Sequence, residues 1–312
     1  MNAALLKSGH CQLFEPVDEK TVLKYKTEVK SEMSCKWLPV PGRAVKPILL
    51  VFFVLVLVLP AMADTTNEER DLSSFFGKYS GAFVILDAAH GHWLRHHPDL
   101  CRKRVTPCST FKIPNSLISL ETGVASDADF SLPWDGTRYP IEPWNRDQTL
   151  RSAFAVSCLW FYQELARRVG SQRMNEWVAK IHYGNCDLSG GVTHFWLSSS
   201  LTISPDEQVD FLRRLHTRQL PFSTRSVDIV LDIMTVLRRG QTVYRGKTGT
   251  AGDPVKQMAT QGWWVGSVCT PKGDYYFATC ITGGDNPSGR TARQITENIL
   301  EDLKVLTSST EP

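Results

Sequence analysis

The sequence lacks any long block of charge of one sign, and it contains no internal repeat and no low-complexity tract. Its 312 residues carry 35 basic and 32 acidic side chains, and its formal net charge is only +3. Because nucleic-acid-binding proteins usually concentrate basic residues on one surface, no nucleic acid is expected as a partner. The histidines at residues 90–97 have no cysteine or carboxylate at metal-ligand spacing, so no metal is expected either.

The sequence also has no apolar run long enough to cross a bilayer comfortably. The longest covers residues 48–59 and is followed by Pro-Ala-Met-Ala, which is typical of a signal peptide cut after Ala63. An uncleaved membrane anchor is the alternative, which the shortness of the run disfavours. We therefore interpret residues 48–63 as the apolar core and cleavage site of a leader. The mature chain is then exported, periplasmic or secreted, with no stable membrane partner.

Residues 1–47 form an unusual N-terminal extension, because they are long for the start of a leader and mixed in charge. Met33 offers a simpler start, since a leader that begins there has the ordinary order of basic, apolar and small residues. We hypothesise that residues 1–32 are either not translated or discarded, and that they carry no function.

Cysteine is scarce for a protein that would depend on disulfides. Of the eight cysteines, Cys11 and Cys35 leave with the leader. A domain of this size needs no disulfide even in an oxidising compartment, so buried thiols are expected for most of the rest. A bridge between Cys269 and Cys280 is disfavoured, because a hairpin turn centred on residues 272–273 would place Cys280 opposite Val265.

The order of predicted elements indicates an α+β fold. Strand-forming residues predict one β-hairpin from residues 81–87 and 92–96 and another from residues 261–269 and 274–282. We therefore expect a central antiparallel sheet formed from both ends of the mature domain and flanked by helices, with a helical subdomain inserted.

Residues 64–312 are expected to form one domain. The chain as a whole is 42% hydrophobic, which is enough for a large core. Residues 64–123 and 237–312 form its α/β part, and residues 124–236 are mainly helical. Helices are predicted at residues 72–78, 109–121, 149–165, 172–181, 205–217, 226–237 and 291–306. The clearest start is Ser204-Pro-Asp-Glu207, which predicts a capping box with proline in the first turn.

Ser109 and Lys112, in the segment STFK, have the spacing of a nucleophile and its base. If a helix begins at Ser109, the hydroxyl and the amine lie on the same side of it, one turn apart. The unpaired N–H groups of a helix N-terminus also favour negative charge, as attack on a carbonyl requires. The spacing therefore suits acyl transfer, although a surface Ser/Lys pair is the alternative when this motif is taken alone.

Three further motifs follow in the chain: Ser157-Cys-Leu159, Tyr183-Gly-Asn185 and Lys247-Thr-Gly249. The combination of S-x-x-K with K-T-G marks penicillin-binding proteins and serine β-lactamases. With FWLSSSL around Trp196 and GKTGT followed by GWWVG, the chain resembles the class D, oxacillinase-type, serine β-lactamases from about Phe75 onward. The resemblance implies their transpeptidase-like fold and hydrolysis of a small-molecule β-lactam, so that residues 64–312 are the catalytic domain.

The resemblance also implies the role of each residue near the lysine. Ser109 opens the β-lactam ring, and Lys112 acts as general base after it reacts with CO2 to form an N-carbamate, with no other cofactor. Trp196 donates its indole N–H to that carbamate. Val156, Leu159 and Phe111 supply apolar walls, which lower the pKa of a lysine and leave it neutral enough to attack CO2.

The remaining residues implied by the resemblance contact the substrate. The backbone N–H groups of Ser109 and Thr250 form the oxyanion hole, and Ser157 assists proton transfer to the leaving nitrogen. Lys247 and the adjoining Thr-Gly-Thr, residues 248–250, face the β-lactam. The other substrate-binding residues implied are Thr248, Gly249, Tyr183, Asn185 and Arg293, where Arg290 is the alternative for the substrate carboxylate.

Some features depart from the family or leave the function open. Leu159 replaces the usual valine beside the lysine, which could slow carboxylation or deacylation. Cys108 and Cys158 adjoin the two serines and are expected to be inert buried thiols. A penicillin-binding sensor domain that is acylated without turnover and a D-Ala-D-Ala peptidase are the rival functions. Oligomeric state and preference between oxacillins and carbapenems are not readable from the sequence.

The leader hypothesis predicts that the protein purified from an exporting host begins near Asp64. Signal peptides are cut after small residues, and cleavage after Ala63 would remove residues 1–63. N-terminal sequencing or intact mass measures the start directly. A mature chain that still contains Phe14 or Tyr25 would contradict both the proposed cleavage and the irrelevance of residues 1–32.

Overall fold

A seven-stranded sheet runs through the computed structural model, which describes residues 65–253 and 258–306. The strand order is β1-β3-β2-β9-β8-β7-β6, and a separate two-stranded sheet joins β4 to β5. The strands are β1 Thr66–Glu69, β2 Ser80–Asp87, β3 His92–His96, β4 Ser131–Leu132, β5 Gln148–Thr149, β6 Thr235–Arg239, β7 Thr242–Asp253, β8 Met258–Thr270 and β9 Gly273–Thr282.

The central sheet joins the two ends of the domain. Strand β2 pairs antiparallel with β9, which confirms the predicted sheet built from early and late segments. Strand β1 was not predicted, because its sequence TNEE has no apolar residue to mark a buried face. It pairs with β3 in parallel, so the sheet is mixed and not purely antiparallel as expected.

The β8–β9 hairpin turns one residue earlier than predicted. Cys269 lies opposite Asp274, which centres the turn on residues 271–272. Cys280 consequently lies opposite Trp263, and the expectation that it faces Val265 was wrong by two positions. The six cysteines of the described residues are all free thiols.

The helices cover the sheet, and most of them lie between β3 and β6 in the order of the chain. Their bounds are α1 Ser73–Phe76, α2 Pro98–Arg102, α3 Lys112–Glu121, α4 Leu150–Ala155, α5 Leu159–Val169, α6 Ser171–Lys180, α7 Pro205–His216, α8 Thr224–Ile233 and α9 Gly289–Asp302, with a 3-10 helix at Cys108–Phe111. The capping box of α7 is present, because Ser204 and Glu207 each accept the other's backbone N–H.

Two predicted helices differ from the observed ones, since one is interrupted and the other ends early. The helix predicted over residues 149–165 is broken into α4 and α5, because Ser157 between them has a φ of 56°. The helix predicted over residues 226–237 ends at Ile233, and the next residues form β6. The helical pattern continues through both breaks, so tertiary contacts decide these ends.

Both faces of the sheet are covered, which explains the nearly continuous apolar sequence of β2. Ala82, Val84 and Leu86 belong to the larger core cluster, together with residues of α3, α5 and α7. Phe83 and Ile85 face the other way, into a smaller cluster with residues of α9. The residues discussed below lie where the larger cluster meets β7.

Within residues 65–253 and 258–306, no helix has the length and apolar character needed to cross a membrane. The predicted leader at residues 48–63 and the extension before it lie outside the described residues. Export therefore stays a prediction.

Candidate active site

Ser109 and Lys112 meet across the start of α3. Residues Cys108–Phe111 form a 3-10 turn and α3 begins at Lys112, so the predicted α-helix from Ser109 starts one turn later than expected. Because side chains three residues apart are eclipsed in a 3-10 turn, the two groups lie side by side. The Lys112 amine donates to Ser109 Oγ at 2.8 Å, and Ser109 itself is half-buried and reachable.

The Lys112 side chain is buried among apolar and aromatic groups, with 1% of its surface exposed. Its Nζ lies 5.3 Å from the centre of the Tyr162 ring. Burial lowers the pKa of the Lys112 amine to about 7, and the neighbouring thiols of Cys158 and Cys108 oppose this only weakly. Much of this amine is therefore neutral near physiological pH.

A second Ser/Lys pair lies beside the first. Ser157 occupies the left-handed break between α4 and α5 and accepts a hydrogen bond from Lys247 Nζ at 3.0 Å. Lys247 also donates to Thr248 Oγ1 at 3.3 Å. Burial, and then repulsion from Lys112, hold the pKa of Lys247 well below its usual value. The two amines thus lie close enough for Lys112 to disfavour the charge of Lys247.

Strand β7 lies directly against the turn that presents Ser109. A Cβ atom at Gly249 would be 3.0 Å from the Pro107 carbonyl oxygen, so glycine allows the strand and the turn to approach closely. Thr250 is exposed beyond it, and its hydroxyl accepts the N–H of Gly289 at the start of α9 at 2.9 Å. The predicted Lys-Thr-Gly-Thr segment therefore forms one wall of the cleft at Ser109.

Trp196 lies in the core next to the lysine-bearing turn. Its indole is fully buried and stacks on Phe111 with a 5.6 Å centroid separation and a 21° interplanar angle. Among the side chains that the structure describes, its Nε1 is the one buried polar atom without a hydrogen-bond partner. A buried indole N–H normally has an acceptor, so an acceptor group belongs here. Val156 and Leu159 are half-buried and pack against the same core cluster.

The structure assigns Tyr183 and Asn185 to a supporting role, in place of the predicted contact with substrate. Tyr183 is fully buried, and its hydroxyl donates to Gln208 Oε1 at 3.3 Å. Asn185 Nδ2 donates to the Ser200 carbonyl and Asn185 Oδ1 accepts the Thr202 N–H, both at 2.9 Å. The sequence motif marks them because they fix the segment that carries Trp196.

Arg293, expected to bind a substrate carboxylate, is engaged by neighbours on α9 and β8, and its contact with substrate stays a prediction. Its guanidinium lies 5.0 Å from the Trp264 ring centre, and its Nε donates to Glu297 at 2.7 Å. Trp264 belongs to the smaller core cluster on the α9 face of the sheet. Arg290, the alternative, is exposed in the first turn of α9 beside Gly289.

The two cysteines beside the serines are buried thiols. Burial raises the pKa of Cys108 to about 12 and that of Cys158 to about 11, so neither is a ready nucleophile at neutral pH. Cys108 matters for its backbone, whose φ of 50° leads into the turn before Ser109.

Two polar residues that sequence reasoning missed brace this turn. Gln208 Nε2 on α7 donates to Thr110 Oγ1 at 2.8 Å, and Thr110 Oγ1 donates to the Pro107 carbonyl at 2.8 Å. Thr106 contacts both β8 and the Trp196 segment. Thr106 lies in no recognised motif, and Gln208 lies in the family-like stretch that follows Trp196 but had no role assigned, so only the folded geometry reveals what they contact.

Comparisons with known proteins agree with this site. A family model described as the penicillin binding protein transpeptidase domain matches residues 81–301. The chain is 39% identical to the probable beta-lactamase YbxI of Bacillus subtilis, over 83% of this chain and 98% of that protein. It is 34% identical to the regulatory protein BlaR1 of Bacillus licheniformis, over 77% of this chain but only 40% of that protein. A solved class D beta-lactamase from Bacillus subtilis has a TM-score of 0.72 and 38% identity, covering 77% of this chain and 98% of its own.

Burial of Lys112 predicts that Lys112→Met stabilises the protein in bicarbonate-depleted buffer. The amine's pKa is about 7 in the folded protein against an ordinary value of 10.5, so the unfolded state binds more protons between these values and wild-type stability rises with pH there. The gain from methionine is therefore largest below pH 7, on the order of 4 kcal/mol, and falls to about half by pH 9.

Urea unfolding of both proteins at pH 6 and pH 9 measures this gain. A Lys103→Met variant is the matched control, because Lys103 is exposed and should show no such gain. A variant at Lys112 that is less stable than wild type at both pH values would refute the burial cost.

Proposed function

This chain belongs to the class D serine β-lactamases, and we propose that it hydrolyses penicillins, oxacillin-type compounds included, with a CO2-carboxylated Lys112 as general base. The observation that supports the carboxylation of Lys112 is the buried indole N–H of Trp196, which has no hydrogen-bond acceptor among the described residues. An acceptor on the end of Lys112 would meet this need, because Trp196 stacks on Phe111 and the next residue in the chain, Lys112, is buried as well.

Carboxylation of Lys112 requires a neutral amine and CO2. The lone pair of Nζ forms the new N–C bond, one C=O π pair moves to oxygen, and an N–H proton is released. The low pKa of the amine supplies the neutral form, so the reaction is expected to weaken as pH falls below about 7. When present, the carboxylated group would supply a base beside Ser109 Oγ.

The chain's own residues then account for acylation. Ser109 Oγ attacks the β-lactam carbonyl carbon and gives up its proton to the base. The backbone N–H groups of Ser109 and Thr250 are proposed to donate to the developing oxyanion. Ser157, which accepts from Lys247, is positioned to pass a proton to the β-lactam nitrogen as the C–N bond breaks.

Deacylation completes hydrolysis and separates the proposed enzyme from its main rival. Water must attack the ester on Ser109 with help from the same base. The likeness to BlaR1 supports a second candidate function, a sensor domain that is acylated by penicillin and keeps the acyl group. The two functions differ only in the speed of this second step.

Bicarbonate is predicted to raise steady-state penicillin turnover by the wild-type protein. In Lys112→Ala the base is absent, so deacylation is expected to slow by about two orders of magnitude or more and the penicilloyl adduct to accumulate on Ser109. Intact mass spectrometry measures the adduct, and absorbance measures turnover.

The controls separate enzyme from sensor. Ser109→Ala should form no adduct at all. One equivalent of penicillin opened by the wild type, followed by no turnover in saturating bicarbonate, would favour the sensor. Rapid steady hydrolysis by Lys112→Ala would remove Lys112 from the proposed role.

Arg290 is proposed to contact the substrate carboxylate. It is exposed at the start of α9, whose first residue contacts Thr250, whereas Arg293 is paired with Glu297. Arg290→Ala should raise KM for benzylpenicillin about tenfold, as expected for a lost charge-assisted hydrogen bond. Arg293→Ala is the matched control and should lower stability with little change in KM. The reverse pattern in steady-state kinetics would restore Arg293 as the carboxylate contact.

A further inference from the structure

The Thr106 hydroxyl joins two segments that are far apart in the sequence. Its Oγ1 donates to the Trp196 carbonyl oxygen at 3.1 Å and accepts the Ser198 N–H at 3.0 Å. Both partners lie in the irregular segment between α6 and α7, where Ser198 has a φ of 50°. One side chain therefore fixes the main chain on both sides of residue 197.

The main chain of Thr106 is itself fixed to the sheet. Its carbonyl oxygen accepts N–H groups from the Gln261 amide and the Trp263 indole, each at 2.9 Å. Both donors lie on β8, and Thr106 leads directly into the turn that presents Ser109. The Trp196 main chain is therefore held to the sheet and to the nucleophile turn through one hydroxyl.

The position of the Trp196 indole depends on its main chain as well as on its ring contacts. The indole stacks on Phe111 and meets the edge of Phe195 at a 4.9 Å centroid separation. These contacts are non-directional, whereas a hydrogen bond from the indole N–H needs a particular distance and angle. The hydrogen bonds from Thr106 to the main chain on both sides of residue 197 therefore contribute to where the indole N–H lies.

We infer that Thr106 is a positioning residue for Trp196, and that its hydroxyl sets how readily Lys112 is carboxylated. This inference rests on the proposed carboxylation of Lys112. A hydrogen bond from the indole N–H stabilises the carboxylated lysine only at good distance and angle. Loss of the Thr106 hydroxyl lets the Trp196 segment shift and weakens that bond, while Ser109 and the strand at Gly249 keep their places.

Other contacts preserve the fold without the hydroxyl. Val105 and Ile203 exchange backbone hydrogen bonds at 3.0 and 2.9 Å, and Asn185 binds the backbone at residues 200 and 202. Thr106→Val keeps the side-chain shape and the carbonyl oxygen. The variant should therefore fold, with a lower urea midpoint of unfolding because two backbone groups lose their partner.

The test compares bicarbonate dependence in the mature enzyme and three variants. In Thr106→Val, the bicarbonate concentration for half-maximal penicillin turnover should rise about three- to tenfold, the equivalent of one ordinary hydrogen bond. Turnover at saturating bicarbonate should stay within about twofold of wild type, because the reacting groups are unchanged. NMR with 13C-bicarbonate should show a matching fall in the carboxylated fraction.

Two variants control for a merely structural effect. Thr106→Ser retains the hydroxyl and should restore the wild-type bicarbonate requirement. Thr122→Val removes a hydroxyl that bonds to carbonyls within α3, and it should behave as wild type.

Equal bicarbonate requirements in Thr106→Val and wild type would overturn the inference. A loss of turnover that saturating bicarbonate fails to restore would overturn it too, since that pattern indicates general disruption. A wild-type protein with neither a carboxylated-lysine signal nor any bicarbonate dependence would overturn the proposed function, and this inference with it.

Discussion

The burial of one amine, that of Lys112, is the constraint on which the site depends. Aromatic and apolar side chains around an amine destabilise its charged form, so the pKa of Lys112 falls to about 7. The 3-10 turn then holds this amine 2.8 Å from the Ser109 hydroxyl. The same burial that costs stability therefore supplies a base, and the core around Phe111 serves packing and chemistry together.

The second amine, Lys247, extends this arrangement across the cleft. Lys247 lies on strand β7 and donates to Ser157, which lies in the break between α4 and α5. The two residues are 90 positions apart in the sequence. Burial lowers the pKa of both lysines, and repulsion from Lys112 lowers that of Lys247 further. The site consequently consists of hydroxyls and weakly basic amines, which suits proton transfer during acylation better than binding of a metal.

Local spacing made part of this site predictable from sequence. Ser109 and Lys112 are three residues apart, so any helical turn brings them together, and the capping box of α7 depends on adjacent residues alone. Features set by tertiary packing were harder to predict from the sequence. The break at Ser157 and the turn of the β8–β9 hairpin both depend on residues distant in the chain. Tyr183 and Asn185 were found through their motif but given the wrong role, because a motif shows that residues matter and not what they touch.

The motifs and the fold are shared with proteins named as β-lactamases and as a regulatory receptor, at 39% and 34% identity. Acylation of serine is common to both outcomes, so the motifs that build the nucleophile cannot decide between release and retention of the acyl group. Under the proposed mechanism, that choice depends on whether the base is regenerated, and hence on the groups that stabilise the carboxylated form of Lys112. In this chain those groups are Trp196, the walls at Val156 and Leu159, and the polar residues that fix the Trp196 segment. Under the proposed mechanism, residues apart from the nucleophile, some of them inside the motifs, therefore decide whether the acyl group is released.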